Sequence, residues 1–353
     1  MIEAVALDGG RFAVTDAEIA VVNLQNARRR SWDRFARDPL RAGSAERIVE
    51  EEQLTLQFTG DVTALDRLEA LAQTLALCDP ASARTALVQA QIASAAHRFA
   101  DARRHLAQAR RHGAPADEIE RQALAVDQAC GARLASALAA RRRRAVASGR
   151  LEDLVPLGAL LADMDRFDEA DEVYRRALAA YDDVSPFPLA WTCFQLGMLW
   201  GELVPEPDPP RAACWYRHAL EYLPGYVKAR VHLAEIVAED GDLTQAQVLL
   251  EPAVESGDPE VAWRLADVLA LQGRAEEAAA QLCAARAGFE ALLARHPLAF
   301  ADHAAEFHAG SGGNLARALE LARANAANRP TRRAVAQADS LASLLAMAQG
   351  APT

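Results

Sequence analysis

Three histidines near the C-terminus, His296, His303 and His308, with Asp302 and Glu306 among them, form the densest group in this chain that could do chemistry. His303 and Glu306 are three apart, so on a helix they share a face, as metal ligands do. His308 is five residues from His303 and turns off that face. The group reads either as a metal-dependent site at His296/His303/Glu306 or as capping and hydrogen-bonded histidines on a structural helix, and the spacing favours the second. No cofactor is expected.

The remaining reactive residue types point away from catalysis. Five cysteines (Cys78, Cys130, Cys193, Cys214, Cys283) are odd in number and scattered, which suits buried reduced thiols better than a disulfide framework or a zinc site. The Gly310–Gly313 run follows a helical pattern and lacks the lysine of a phosphate-binding loop, so it reads as a turn. Carboxylates such as those at 168–172 (DEADE) fall on polar helix faces. No nucleophile elbow or zinc-protease motif occurs, and a non-catalytic protein is expected.

Arginines recur at Arg28–Arg30, Arg103–Arg104, Arg110–Arg111 and Arg141–Arg144, while Lys228 is the only lysine. The bias reads as bacterial-like genome composition. Consecutive arginines spread about 100° apart around a helix and cannot form one stripe. Nucleic-acid or regulatory binding through the arginine-rich N-terminal half is therefore an alternative and not the leading expectation. Residues 1–150 hold 22 basic against 19 acidic residues, and 151–353 hold 16 against 30, giving the net −11. The two halves present different fields to a partner.

The elements that would position such groups are helices. The chain is alanine-rich and only 6% aromatic, as closely packed helices require. Residues 2–14 can form a short hairpin about Asp8-Gly9-Gly10. Thr15 and Glu18 have capping-box spacing for a helix that stops before Pro39. A helix from Arg47 to Gly60-Asp61 and another to Asp79-Pro80 make a helix–turn–helix unit, with Pro80 opening the next helix.

From there a pattern repeats. Small residues recur at Ala102, Ser136, Ala170, Ala212, Ala246, Ala278 and Ala318, at intervals of 34, 34, 42, 34, 32 and 40. Four residues later stand Leu106, Ala140, Tyr174, Tyr216, Leu250, Leu282 and Ala322. The most regular stretch is 165–178, with Phe167, Ala170, Tyr174 and Ala177 beside Gly158 of the preceding helix. These residues and their spacing resemble the tetratricopeptide repeat, a 34-residue pair of antiparallel helices. The resemblance implies an all-α, right-handed superhelical solenoid. Its parts would be an N-terminal hairpin plus helix (1–46), a divergent unit (47–82), and seven repeats (83–116, 117–150, 151–189, 190–226, 227–258, 259–298, 299–330). A capping helix and tail (331–353) would close it. Two irregularities stand out. Arg143 occupies a small-residue position, which predicts looser packing or a bend over 131–150. Residues 202–211 (ELVPEPDPPR) read as an extended proline loop.

The resemblance also implies a binding face, because first helices of such units line a concave groove. Carried over unit by unit, the groove positions include Arg84, Leu87, Gln91, Arg121, Ala125, Val231 and Glu260. The binding set drawn from them is Trp191, Phe194, Met198, Lys228, Glu235, Trp263, Asp267, Phe300, His303 and Phe307. The family's carboxylate clamp needs lysine and asparagine where this chain has Val155/Ala159, Phe194/Met198 and Val231/Glu235, so it is absent. Aromatic residues with nearby acids imply a partner protein or extended peptide of apolar and basic character. Self-association through the terminal helix stays open. No apolar run is long enough to span a membrane, and the acidic N-terminus does not suit a signal peptide. A cytoplasmic scaffold is expected.

Overall fold

The computed structural model describes residues 14–350, with side chains to 348; the hairpin expected over 2–14 lies outside them, apart from Val14 itself. Among the described residues all regular structure is helical. Helix α1 (Ala17–Arg37) comes first. Its N-cap is Asp16 and not the expected Thr15: the Asp16 carboxylate accepts from the backbone N–H groups of Glu18 and Ile19 at 2.9 and 3.2 Å. An aspartate cap satisfies the same orphan donors.

Antiparallel pairs follow: α2 (Ser44–Thr59) with α3 (Ala64–Cys78), α4 (Ala83–Ala95) with α5 (Phe99–Arg111), α6 (Ala116–Ala129) with α7 (Leu134–Ser148), and α8 (Leu151–Asp163) with α9 (Phe167–Ala179). The second half repeats the plan in α10 (Pro186–Met198) with α11 (Pro209–Tyr222), α12 (Val227–Glu239) with α13 (Leu243–Leu250), α14 (Pro259–Leu271) with α15 (Ala275–Arg295), and α16 (Ala301–Ala309) with α17 (Leu315–Asn328). Helix α18 (Arg332–Gly350) packs on α17. This is a tetratricopeptide-like superhelix. Helix α4 starts at Ala83 behind a Ser82 cap, so Pro80 sits in the turn and not at a helix start.

The repeat residues hold the pairs together as small-against-large contacts. Ala102, Ala170, Ala212, Ala246 and Ala318 are fully buried where helices cross, since a methyl lets two backbones approach closely. A Cβ on Gly197 would lie 2.3 Å from the Tyr216 ring, and one on Gly158 2.7 Å from that of Tyr174. Glycine is what admits each ring. One long core runs from α6 to α15 on this principle and takes in Ala20 and Leu24 of α1 and Phe58 of α2, while α3–α5 pack in smaller clusters of their own.

Three expectations are corrected. In α7 the buried crossing residue is Ala137, while Ser136 is exposed, so the register there is one residue later than the spacing suggested. Arg142 and Arg143 consequently point to solvent, and α7 runs as one helix over the stretch expected to pack loosely or bend. The stretch after α10 is not all extended loop: Leu199–Leu203 continues it as a π-turn before Val204–Asp208. The indole of Trp200 donates to Asp171 (2.8 Å), and the Arg211 guanidinium, also bonded to Asp171, lies 3.3 Å over the Trp200 ring. The π-turn is thereby pinned to α9. Third, of the five thiols only Cys130 and Cys193 are buried.

The superhelix winds tightly enough that its turns touch. The Thr15 N–H donates to the Val184 carbonyl at 2.7 Å. Phe58 packs between Phe187 and Tyr226, at ring separations of 5.0 and 4.9 Å. Gly60, left-handed at φ +68°, presses against Val227 and Ser256, where a Cβ would meet both at 3.1 Å. Asp66 holds Arg295 and His296. Asn328 donates to the His97 carbonyl, Gly131 abuts Pro330 and Thr331, and Arg332 pairs with Asp165. These contacts form a continuous seam between residues 15–165 and 184–332. The concave groove becomes a walled lumen. No helix among the described residues is long and apolar enough to cross a membrane.

Candidate functional site

The lumen holds a cavity of about 1370 Å³. Helix α10 supplies its apolar wall with Trp191, Phe194 and Met198, spaced three and four residues apart so that they share one face. Phe194 is fixed from behind by the Tyr216 and Tyr226 rings at 5.6 and 5.2 Å, and Trp191 stacks on it at 5.9 Å with 23° between planes. The wall is therefore built on buried rings, not on mobile side chains.

The adjoining wall is charged, and its His232 ring meets Phe194 edge-on at 5.3 Å. His232 of α12 bonds Glu202 at 2.8 Å and lies 3.6 Å from Glu235. Arg264 of α14 pairs with Glu235 and covers the Trp263 ring at 3.6 Å. The His303 Nδ1 of α16 lies 3.5 Å from Glu260, and Gln337 of α18 donates to Glu306 at 3.4 Å. Glu202 reaches this network because the π-turn swings it inward; such bulges often serve to aim a side chain.

The shared charges move one another's proton affinities. Burial pushes the Glu235 carboxyl up to about 7, against the opposing pull of Arg264 and His232. Burial also raises Glu306. Glu202 goes the other way: burial would raise it, but the His232 bond and charge hold it low. Burial would lower His303, yet Glu260 and Asp302 hold its imidazolium up to about 10. An unfolded histidine titrates near ~6.5, so the stability His303 contributes is complete below that pH and is lost as pH rises through about 10. Thermal melts of wild type and His303→Gln at pH 7 and pH 10 test this. The wild type is expected to lose on the order of 2 °C more than the variant over that interval. Solvent screening keeps the effect small, because 43% of the side chain is exposed. Equal losses would refute the coupling.

Of the residues expected in the groove, Trp191, Phe194, Met198, Lys228, Glu235 and His303 line the cavity, as do Ala125 and Glu260. Four do not. Trp263 and Phe307 stack with Phe289 in the core between α14, α15 and α16. Asp267 accepts from the Ser311 hydroxyl at 2.5 Å, fixing the turn before α17. Phe300 packs between the C-terminal core and that of α1–α4. The expectation for α14 was one helix position out: Glu260 and Arg264 face the lumen, and Trp263, about 100° round the helix, faces inward. In α12 the lumen residue is likewise His232, and Val231 is buried. The charges at 228, 232 and 235, four and three apart, were a legible signal for this face. Arg84, expected on the groove face, pairs with Glu46 at 2.7 Å.

The histidine group is dispersed, which corrects the metal reading. His296 bonds Asp66 at 2.8 Å, His308 bonds Glu290 at 3.2 Å, and only His303 with Glu306 enters the lumen. No three His, Cys, Asp or Glu side chains among the described residues are grouped to hold a metal ion. The arginine runs are dispersed too. Arg28 binds Asp61, Arg103 binds Asp127, Arg142 binds Glu169 and Arg144 binds Glu120. The runs do not combine into one open basic strip.

No family model matches this chain, and no curated protein does. Solved structures show likeness in layout. One is MamA, at 18% identity and TM-score 0.38, covering 44% of this chain and 89% of its own. Another is the Cut9–Hcn1 hetero-tetramer of the APC/C, at 12% identity and TM-score 0.43, covering 92% of this chain and 54% of that one. A third is a tetratricopeptide repeat protein from Parabacteroides merdae, at 12% identity and TM-score 0.40, with coverages of 75% and 93%. Identities and scores at this level assign neither an activity nor a partner.

Proposed function

We propose that this chain is a non-catalytic scaffold that binds an extended segment of a partner protein inside the lumen. The observation that carries the reading is the juxtaposition of an apolar and an acidic surface in one cavity: Trp191, Phe194 and Met198 beside Glu202, Glu235, Glu260 and Glu306. Its volume of about 1370 Å³ exceeds the roughly 300–1,000 Å³ of small-molecule sites, which suits a chain segment. An apolar side chain would cover the α10 face, and a neighbouring lysine or arginine would meet the carboxylates.

The test is retention of random octapeptides on the immobilised full chain. Peptides with an apolar residue beside a basic one should be enriched. The combined Trp191→Ala/Met198→Ala variant should retain them at least tenfold less, since removing anchoring side chains costs about 2 kcal/mol or more. Absence of any enriched peptide class, or identical enrichment on the variant, would sink the reading.

A further inference from the structure

The α7 register, once corrected, sets Arg141 apart. Four residues beyond the buried crossing alanine, other pairs carry a gap-filling Tyr174, Tyr216 or Leu250. Four beyond Ala137 stands Arg141, half-buried and lining the cavity beside Ala125, Gln128 and Ala159. Its Nε is buried without a hydrogen-bond partner, and among the described residues no carboxylate forms an ion pair with its guanidinium.

Every other arginine lining this cavity is engaged. Arg264 holds Glu235, Arg329 holds Asp302, Arg332 holds Asp165, and Arg333 donates to the Glu202 carbonyl. Asp163, whose charge acts on Arg141, accepts a hydrogen bond from Gln128 at 2.9 Å. Arg144, one turn on, is occupied by Glu120 and the Asp117 carbonyl. Burial and the charge of Arg144 disfavour the Arg141 cation, and the charges of Asp163 and Asp153 offset them only in part. The Nε has lost water without gaining an acceptor, which is costly, while the rest of the half-buried guanidinium remains available to an anion.

We propose that Arg141 is the docking point for a carboxylate of the segment bound in the lumen. The inference rests on the reading of the lumen as a peptide site, and adds a polarity to it. The segment would present a basic residue to the Glu235 wall, apolar residues to α10, and a carboxylate to α7. A planar carboxylate matches one guanidinium as a bidentate pair. A phosphate dianion would leave a charge uncompensated in a cavity already lined by Glu202, Glu235, Glu239, Glu260 and Glu306.

Four octapeptide pools, each containing lysine and leucine, test this on the immobilised full chain. One is amidated and contains glutamate, one has a free C-terminus and no acidic residue, one is amidated without acids, and one is amidated with phosphoserine. Either or both carboxylate pools should be retained at least tenfold better than the acid-free amidated pool, and which one wins tells a side chain from a chain end. Arg141→Met should erase that advantage while melting no lower than wild type, and Arg141→Lys should keep part of it. The comparison of pools on wild type stands whether or not the variants fold. Equal retention of carboxylate and neutral pools, an advantage surviving Arg141→Met, or preference for phosphoserine would overturn the inference and leave the lumen reading intact. Retention of no pool would overturn both.

Discussion

Replacing Glu52 with alanine should destabilise the fold by about 3 kcal/mol, the low end of the cost of breaking a buried ion pair, because the cations it orphans keep partial access to water. The Glu52 side chain is fully buried in α2. It accepts from the Trp32 indole at 2.7 Å and from Arg67 Nε and Nη2 at 2.9 and 2.7 Å, with Arg28 3.7 Å away. Deleting it leaves two guanidiniums and an indole N–H with Asp61 as their only nearby carboxylate. Glu52→Gln keeps an acceptor for Trp32 and should cost less. Urea denaturation of both variants gives the comparison, and a loss below about 1 kcal/mol for the alanine variant would show that water replaces the pair.

Phe58→Ala should have an effect of similar size with a different signature. The ring is 4% exposed and wedged between Phe187 and Tyr226 across the seam. Truncating a buried phenylalanine costs about 3–5 kcal/mol. Because this ring joins residues far apart in the chain, the loss falls on the closure between turns. Small-angle scattering should show a larger radius of gyration, and protease should gain access to the turn at Gly60. An unchanged scattering curve with a full stability loss would mean that the remaining seam contacts, Asp66 with His296 among them, hold the turns together unaided.

The helices and their pairing were legible because a buried alanine followed by tyrosine or leucine four residues later repeats along the chain. The groove was legible in part. Trp191, Phe194, Met198, Lys228, Glu235 and His303 are where the repeat register puts them. Trp263 and Phe307 went astray because an aromatic residue satisfies a core position as well as a groove position, and one step of 100° separates the two. Ser136 misled for a related reason: serine and alanine are both small, so Ala137 was hidden in a plausible neighbour, and with it the inward aim of Arg141. The seam left no local trace at all. Phe58, Gly60 and Asp66 acquire partners roughly 130 to 230 residues away, and no periodicity within a unit encodes that.

The seam also alters what kind of object the chain is when it unfolds. Helical repeats touching only their neighbours behave as a one-dimensional stack that can fray from either end, pair by pair. Here Thr15 is tied to Val184, His97 to Asn328 and Asp165 to Arg332, so neither end can peel away without releasing the middle. Cooperativity of the kind found in single-core domains follows, together with the slower folding that distant pairings impose.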